Sequence, residues 1–234
     1  MSRPLPTLAL LLLATTLAAT EADAGETTLT RDGIVVNYRD TADSLTQDVR
    51  DRILDTFFSA YLRERADFNR SAPAEIDIVI DPAYEGVAYV DRVQGRPTMT
   101  INPGWLALHP QDDDLVTHEA MHIVQSYPEY ANENSPAWLV EGIADYARDR
   151  YGLNNAAGGW ALPTRVESGH NFDSGYRVTA AFLKWSESRH PGLVMRLDTD
   201  LREGRYTSKT WRQATGKDVE ALWDEYAGET RAAP

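Results

Sequence analysis

Along the chain the spacing of hydrophobic positions changes more than once, and the changes mark out its elements. After a strand at residues 34–38, residues 41–68 place Leu45, Val49, Ile53, Phe57 and Tyr61 four apart with Leu54, Phe58 and Leu62 beside them, which predicts a long amphipathic helix. Past Ser71-Ala72-Pro73 the period falls to two: Ile76, Ile78 and Ile80 alternate with Asp77 and Val79, followed by Val87 with Tyr89 and Met99 with Ile101. These are strands, expected to pair antiparallel. Gln94-Gly95-Arg96-Pro97 has turn chemistry, so the last two should form a hairpin. Its second strand, 98–102, either forms a cleft wall to which an extended peptide adds or is sheet alone. Pro110 closes this region, and Asp112, Asp113 and Asp114 are expected to cap the next helix, where Leu115, Val116, Met121, Ile123 and Val124 flank a polar face. Ser135-Pro136 predicts another helix start, a side-chain cap followed by proline at the first position. In the last third, Val178, Phe182 and Trp185, then Leu193, Leu197 and Leu201, then Val219, Leu222, Trp223 and Tyr226 predict helices that pack these side chains inside, with residues 228–234 frayed.

Composition narrows the class. With 42% apolar and 25% charged residues, the chain of 234 residues can bury a core and is neither disordered nor fibrous. The formal charge of −13 argues against nucleic acid or an anionic membrane as partner, and a neutral or cationic substrate is easier to accommodate. There is no cysteine, so disulfides, thiol catalysis and thiolate metal ligands are excluded and a metal site must use His and carboxylates. Arg3, the apolar run from Leu8 to Leu13 and Ala22-Asp23-Ala24 have the layout of a secretory signal, with cleavage expected after Ala24. An uncleaved anchor is the alternative, but the run is shorter than the roughly 20 residues a membrane span needs. Residues 1–24 are therefore read as a signal peptide and 25–234 as one domain, secreted or periplasmic and monomeric, with no linker or internal repeat dividing it.

Chemistry concentrates in His118-Glu119-Ala120-Met121-His122. On a helix, residues four apart share a face, so both imidazoles can address one metal ion with Glu119 beside them. A buried polar face of this kind needs compensation, which a dication supplies, and the alternative is a hydrogen-bonded pair of interior histidines. Eighteen residues separate His122 from Glu141, which lies in Trp138-Leu139-Val140-Glu141-Gly142-Ile143-Ala144. That segment resembles the glutamate helix of the gluzincin metallopeptidases. The resemblance implies zinc held by His118, His122 and Glu141, with Asp145, one turn on, accepting a hydrogen bond from a ligand histidine. Further downstream, Ser174-Gly175-Tyr176-Arg177-Val178-Thr179-Ala180-Ala181-Phe182-Leu183-Lys184-Trp185 and Ala214-Thr215-Gly216-Lys217-Asp218-Val219-Glu220-Ala221-Leu222-Trp223 narrow the likeness. Over residues 76–226 the chain resembles the basic secretory protein family, secreted proteins of plants and bacteria with peptidase motifs, although this chain is acidic. The fold implied is α+β: a small, mostly antiparallel sheet, then a zinc-binding helix pair and a helical C-terminal part.

Residues 152–173, rich in glycine and without a clear period, form either a loop over the cleft or an idle surface loop. His170 within it is expected to be an exposed loop histidine, the alternative being a transition-state donor. Tyr176 is the candidate for the hydroxyl that stabilises an oxyanion, or else a core tyrosine. Three protein ligands would leave zinc a position for water, whose proton Glu119 would take before hydrolysis of a peptide bond in a peptide or protein substrate. Two rival readings are a secreted zinc-binding module closed by a fourth side chain such as His170, and a cell-wall or carbohydrate binder that stacks sugars on Trp105, Trp138 and Trp160.

Overall fold

The computed structural model describes residues 25–128 and 130–230. The expected signal peptide, 1–24, lies outside them, as do residues 231–234 of the segment expected to fray. Five strands form one sheet: β1 (Glu26–Arg31), β2 (Ile34–Arg39), β3 (Glu75–Ile80), β4 (Ala88–Val93) and β5 (Arg96–Ile101), in the spatial order β1-β2-β3-β5-β4. The helices are α1 (Gln47–Asp67), α2 (Pro103–Leu108), α3 (Leu115–Gln125), α4 (Ala137–Tyr151), α5 (Tyr176–Arg189), α6 (Leu193–Arg202), α7 (Lys209–Thr215) and α8 (Val219–Thr230). Residues 228–230, expected to fray, are thus the last turn of α8.

The fold is α+β as expected, but the sheet is mixed rather than mostly antiparallel. β1–β2 and β4–β5 pair antiparallel, whereas β2–β3 and β3–β5 pair parallel. A tight turn can only return a chain antiparallel, and parallel neighbours need a long crossover. The 21-residue α1 is that crossover between β2 and β3. The predicted hairpin forms at Gln94-Gly95, both at positive φ, but β5 lies between β3 and β4, so the wall strand 98–102 is interior and β4 is the edge.

Ile34 and Val36 of β2, Ile76 and Ile78 of β3, and Met99 and Ile101 of β5 are fully buried, and α3 packs on β4 and β5. Behind α3 lie α1 and α4, and α5 packs on α4. Helix α1 begins at Gln47 rather than near residue 41 because the Asp40 carboxylate takes the amides of Ser44 and Leu45, both at 2.9 Å, leaving Thr46 to cap the helix.

Asp114 holds the N-cap position of α3 through its carbonyl, but none of the three aspartate carboxylates caps a backbone amide of the helix. They are buried and reach far along the chain: Asp112 accepts from Arg148 and from Trp105 Nε1 (2.9 Å), and Asp113 from Arg52 Nε (3.0 Å). Asp114 accepts the amides of Leu153 and Asn154 at 2.8 and 2.5 Å. The start of α3 is therefore tied to α1, to α4 and to the loop after α4. Ser135 does not cap α4 either: Pro136 holds the cap position through its carbonyl, which accepts from Leu139 N and Val140 N.

Candidate metal centre

Helix α3 is buried along nearly its whole length, and it presents His118, Glu119 and His122 to a cleft of about 1310 Å³. Helix α4 crosses behind and contributes Glu141 and Asp145 to the same cleft. Gly142 permits the close approach of α5 on the far side of α4, because a Cβ there would fall 2.2 Å from Thr179 Cγ2.

Three donor atoms converge. His118 Nε2 lies 3.1 Å from His122 Nε2 and 3.2 Å from Glu141 Oε2, and His122 Nε2 lies 3.4 Å from that same oxygen. Ligands held tetrahedrally at roughly 2.0–2.1 Å from zinc stand about 3.3–3.4 Å apart, so the triangle has the size such a metal requires. These three residues form the cluster able to hold a metal ion among the described residues. Two imidazole nitrogens and a carboxylate oxygen suit zinc or a similar borderline cation.

Each donor side chain is fixed from behind. His118 Nδ1 is 2.7 Å from Asp145 Oδ1, the partner expected from the sequence. His122 Nδ1 is 2.8 Å from Gln125 Oε1, and Gln125 Nε2 donates to Val140 O at 2.9 Å. Tyr130 OH donates to Glu141 Oε1 at 2.7 Å. Such partners set ring orientation and tautomer. Burial opposes charging of His118, but its hydrogen bonds to Asp145 and Glu141 outweigh burial and push its pKa up to about 10. Burial would raise the Glu141 carboxyl, yet His118 and His122 hold it well below the usual carboxylate range. Without a metal the centre therefore retains a proton, which binding would displace.

Tyr176 opens α5 at φ 44°, directly after Gly175 at φ 75°. This uncommon pair of left-handed residues turns the ring out of the core, and it lies parallel to His118 with centroids 6.2 Å apart. At 57% exposure it is a cleft tyrosine, not a core one. Burial, then the nearby Glu141, Asp145 and Glu119, raise its pKa, so the phenol stays protonated and able to donate.

With this geometry in place, the comparisons can be stated. A family model described as a peptidase of plants and bacteria matches residues 21–226. The chain belongs to this family, BSP. No curated protein matches the sequence. Among solved structures, a mutant of a two-domain M1 zinc metallopeptidase bound to L-tryptophan is similar at TM-score 0.50 and 13% identity, covering 89% of this chain and 51% of its own. An M1 zinc metallopeptidase from Deinococcus radiodurans is similar at TM-score 0.45 and 15% identity, again over 89% of this chain and 51% of its own. The BSP chain thus spans about half the length of these enzymes, and the likeness to the first, at 13% identity, is one of fold.

In this BSP protein all six expected site residues, His118, Glu119, His122, Glu141, Asp145 and Tyr176, line one cleft. His170 is not among the lining residues, and its Nδ1 accepts the Glu167 amide at 3.2 Å within its own loop. That loop reaches the cleft through Gly158, Gly159 and Trp160. The three tryptophans considered as sugar platforms are engaged by the protein: Trp105 stacks on His109, Trp138 packs against Phe172 and Trp211, and Trp160 carries the Arg148 guanidinium over its ring. Sequence reasoning missed Gln125 and Tyr130. A glutamine ending the apolar run Ile123-Val124 was a usable signal for the first, while Tyr130 sits in a coil with no pattern.

Proposed function

We propose that this protein is an exported zinc-dependent peptidase in which Glu119 is general base and general acid. The observation that carries the reading is the triangle of His118, His122 and Glu141 donor atoms with sides of 3.1–3.4 Å, flanked on the same helix by Glu119. Membership of a peptidase family supports the reaction class. The apolar run and small-residue motif within residues 1–24 support export.

When bound, zinc would supply Lewis acidity, acidifying a water and polarising the scissile carbonyl. The remaining work falls to side chains. Glu119, which lines the cleft, takes the proton of the attacking water and delivers it to the leaving amine. Tyr176 has no hydrogen-bond partner among the described residues, so its hydroxyl is free to donate to the oxyanion that develops. Tyr130 is committed to Glu141 and orients that carboxylate instead. The free edge of β4 runs along the cleft through Ala88, Tyr89 and Val90, and an extended peptide can pair with its unused backbone groups.

The test is Glu119→Gln. This variant should bind one zinc per chain, measured by elemental analysis, and lose hydrolysis of a denatured protein substrate. Cleavage at the wild-type rate would sink the assignment of Glu119, and cleavage by the wild type in excess chelator would sink the metal.

A further inference from the structure

One side chain in the cleft is unaccounted for by the scheme above. Arg177 follows Tyr176 in the first turn of α5, is exposed, and lines the same cleft as His118, Glu119 and Glu141. Among the described residues it is the one arginine that makes no hydrogen bond, ion pair or ring contact. In a chain with 36 acidic residues against 23 lysines and arginines, an arginine with no partner of any kind is conspicuous.

Most acids lining the cleft have partners of their own. Asp145 is held by His118, Glu141 by both histidines and Tyr130, and Asp112 by Arg148 and Trp105. Asp91 turns to the amide of Arg92. Glu119 is reserved for proton transfer and makes no ion pair with Arg177. The other cleft arginines are occupied: Arg148 by Asp112 and the Trp160 ring, Arg92 by the Gly95 carbonyl. Of the three cleft arginines only Arg148 has an ion pair, and Arg177 alone has no partner of any kind.

Its position relates to the scissile bond through its neighbour. The Tyr176 ring stacks on a metal-donor imidazole, and the Cα of residue 177 is one peptide unit, about 3.8 Å, from that of Tyr176. An extended peptide advances about 3.3 Å per residue, so a long arginine side chain starting there can meet a group one or two residues from the reacting carbonyl. A guanidinium is a planar fork suited to bidentate pairing with a carboxylate.

We propose that Arg177 forms a carboxylate-binding subsite, and that the preferred substrates are peptides with a carboxylate one or two residues from the cleaved bond. This rests on the peptidase reading and names its substrate class. The carboxylate can come from a Glu or Asp side chain or from the substrate's C-terminus, and the chemistry Arg177 recognises is the same. The overall negative charge of the protein disfavours anionic ligands at long range, so an acidic peptide needs a local cation of this kind.

The experiment uses two peptide pairs on the mature, zinc-loaded protein. One pair differs by Glu against Gln near the cleaved bond in an amidated peptide, and the other by a free against an amidated C-terminus in a neutral peptide. Cleavage should favour the acid member of at least one pair by roughly tenfold or more in kcat/KM, and the pair that responds identifies the source of the carboxylate. In Arg177→Gln that ratio should fall to within about twofold, while Arg177→Lys should keep part of it. An equal ratio in the wild type, or an unchanged ratio in Arg177→Gln, overturns the proposal. Binding of the same pairs to zinc-loaded Glu119→Gln, with and without Arg177→Gln, is measured by calorimetry. If the wild type cleaves nothing, the peptidase reading fails, and the calorimetric ratio still decides the role of Arg177. Absence of an acid preference there overturns it.

Discussion

A single buried amide, Gln125, holds the two metal-bearing helices in register. Its Oε1 accepts from His122 Nδ1 at 2.8 Å on α3, and its Nε2 donates at 2.9 Å to the carbonyl of Val140, the residue before Glu141 on α4. The side chain is 2% exposed, so water cannot replace either bond. Gln125→Ala frees the His122 ring to turn and to change tautomer while leaving the other donors in place. Removing an outer partner of this kind typically costs about 10–100-fold in metal affinity. That is about 1.4–2.7 kcal/mol, and losing the bond to Val140 adds about 1 kcal/mol to the cost in fold stability. Gln125→Glu separates the two effects, since a carboxylate still accepts from His122 but has no donor for Val140. It should bind the metal at least as tightly as the wild type yet unfold at a lower temperature. Metal affinity is read by competition with a chromophoric chelator at fixed pH, and stability by thermal unfolding of the metal-free protein. Wild-type affinity in Gln125→Ala would refute the claim that this amide orients His122. Equal loss of affinity in both variants would refute its separation from the packing of α3 on α4.

Two further outcomes follow from the cleft and the core behind it. Tyr176→Phe removes the free phenol but not the ring that lies on His118, so kcat should fall about 10²–10³-fold with metal content unchanged; a kcat within threefold of wild type would remove Tyr176 from the chemistry. Glu64 on α1 is fully buried with neither carboxyl oxygen paired, and burial raises its pKa well above the usual value. The folded state then keeps a proton that the unfolded chain has lost above about pH 4.5, so the stability this group contributes is complete below that pH. It declines by up to about 1.4 kcal/mol per pH unit as pH rises towards the folded pKa. Glu64→Gln should flatten this decline in denaturant titrations at pH 5–8, and an unchanged slope would show that Glu64 is ionised in the fold.

What could be read from the sequence was whatever depends on spacing along the chain. His118 and His122 are one helical turn apart, so their shared face followed from the helix alone, and the likeness to a glutamate helix supplied Glu141. The groups that hold those residues were less legible, because each depends on a neighbour brought in by the fold. Asp112 and Asp113 look like helix caps until Arg148 and Arg52 arrive from α4 and α1. Strand alternation is the same for parallel and antiparallel neighbours, so it could not show that the α1 crossover makes β2 and β3 parallel, or that β4 takes the edge and leaves β5 parallel to β3. Strand β1 went unseen because its side chains are almost all exposed, although Asp32-Gly33, both at positive φ, carries the signature of the turn that joins it to β2. The same separation applies to charge. A net −13 argues for neutral or cationic substrates only if the acids face the substrate. In the cleft Asp112, Glu141 and Asp145 are bound to Arg148, Trp105, His118 and His122, Glu119 is left for proton transfer, and Arg177 is a cation without a partner. Substrate preference should therefore follow Arg177 at short range rather than the formal charge of the chain.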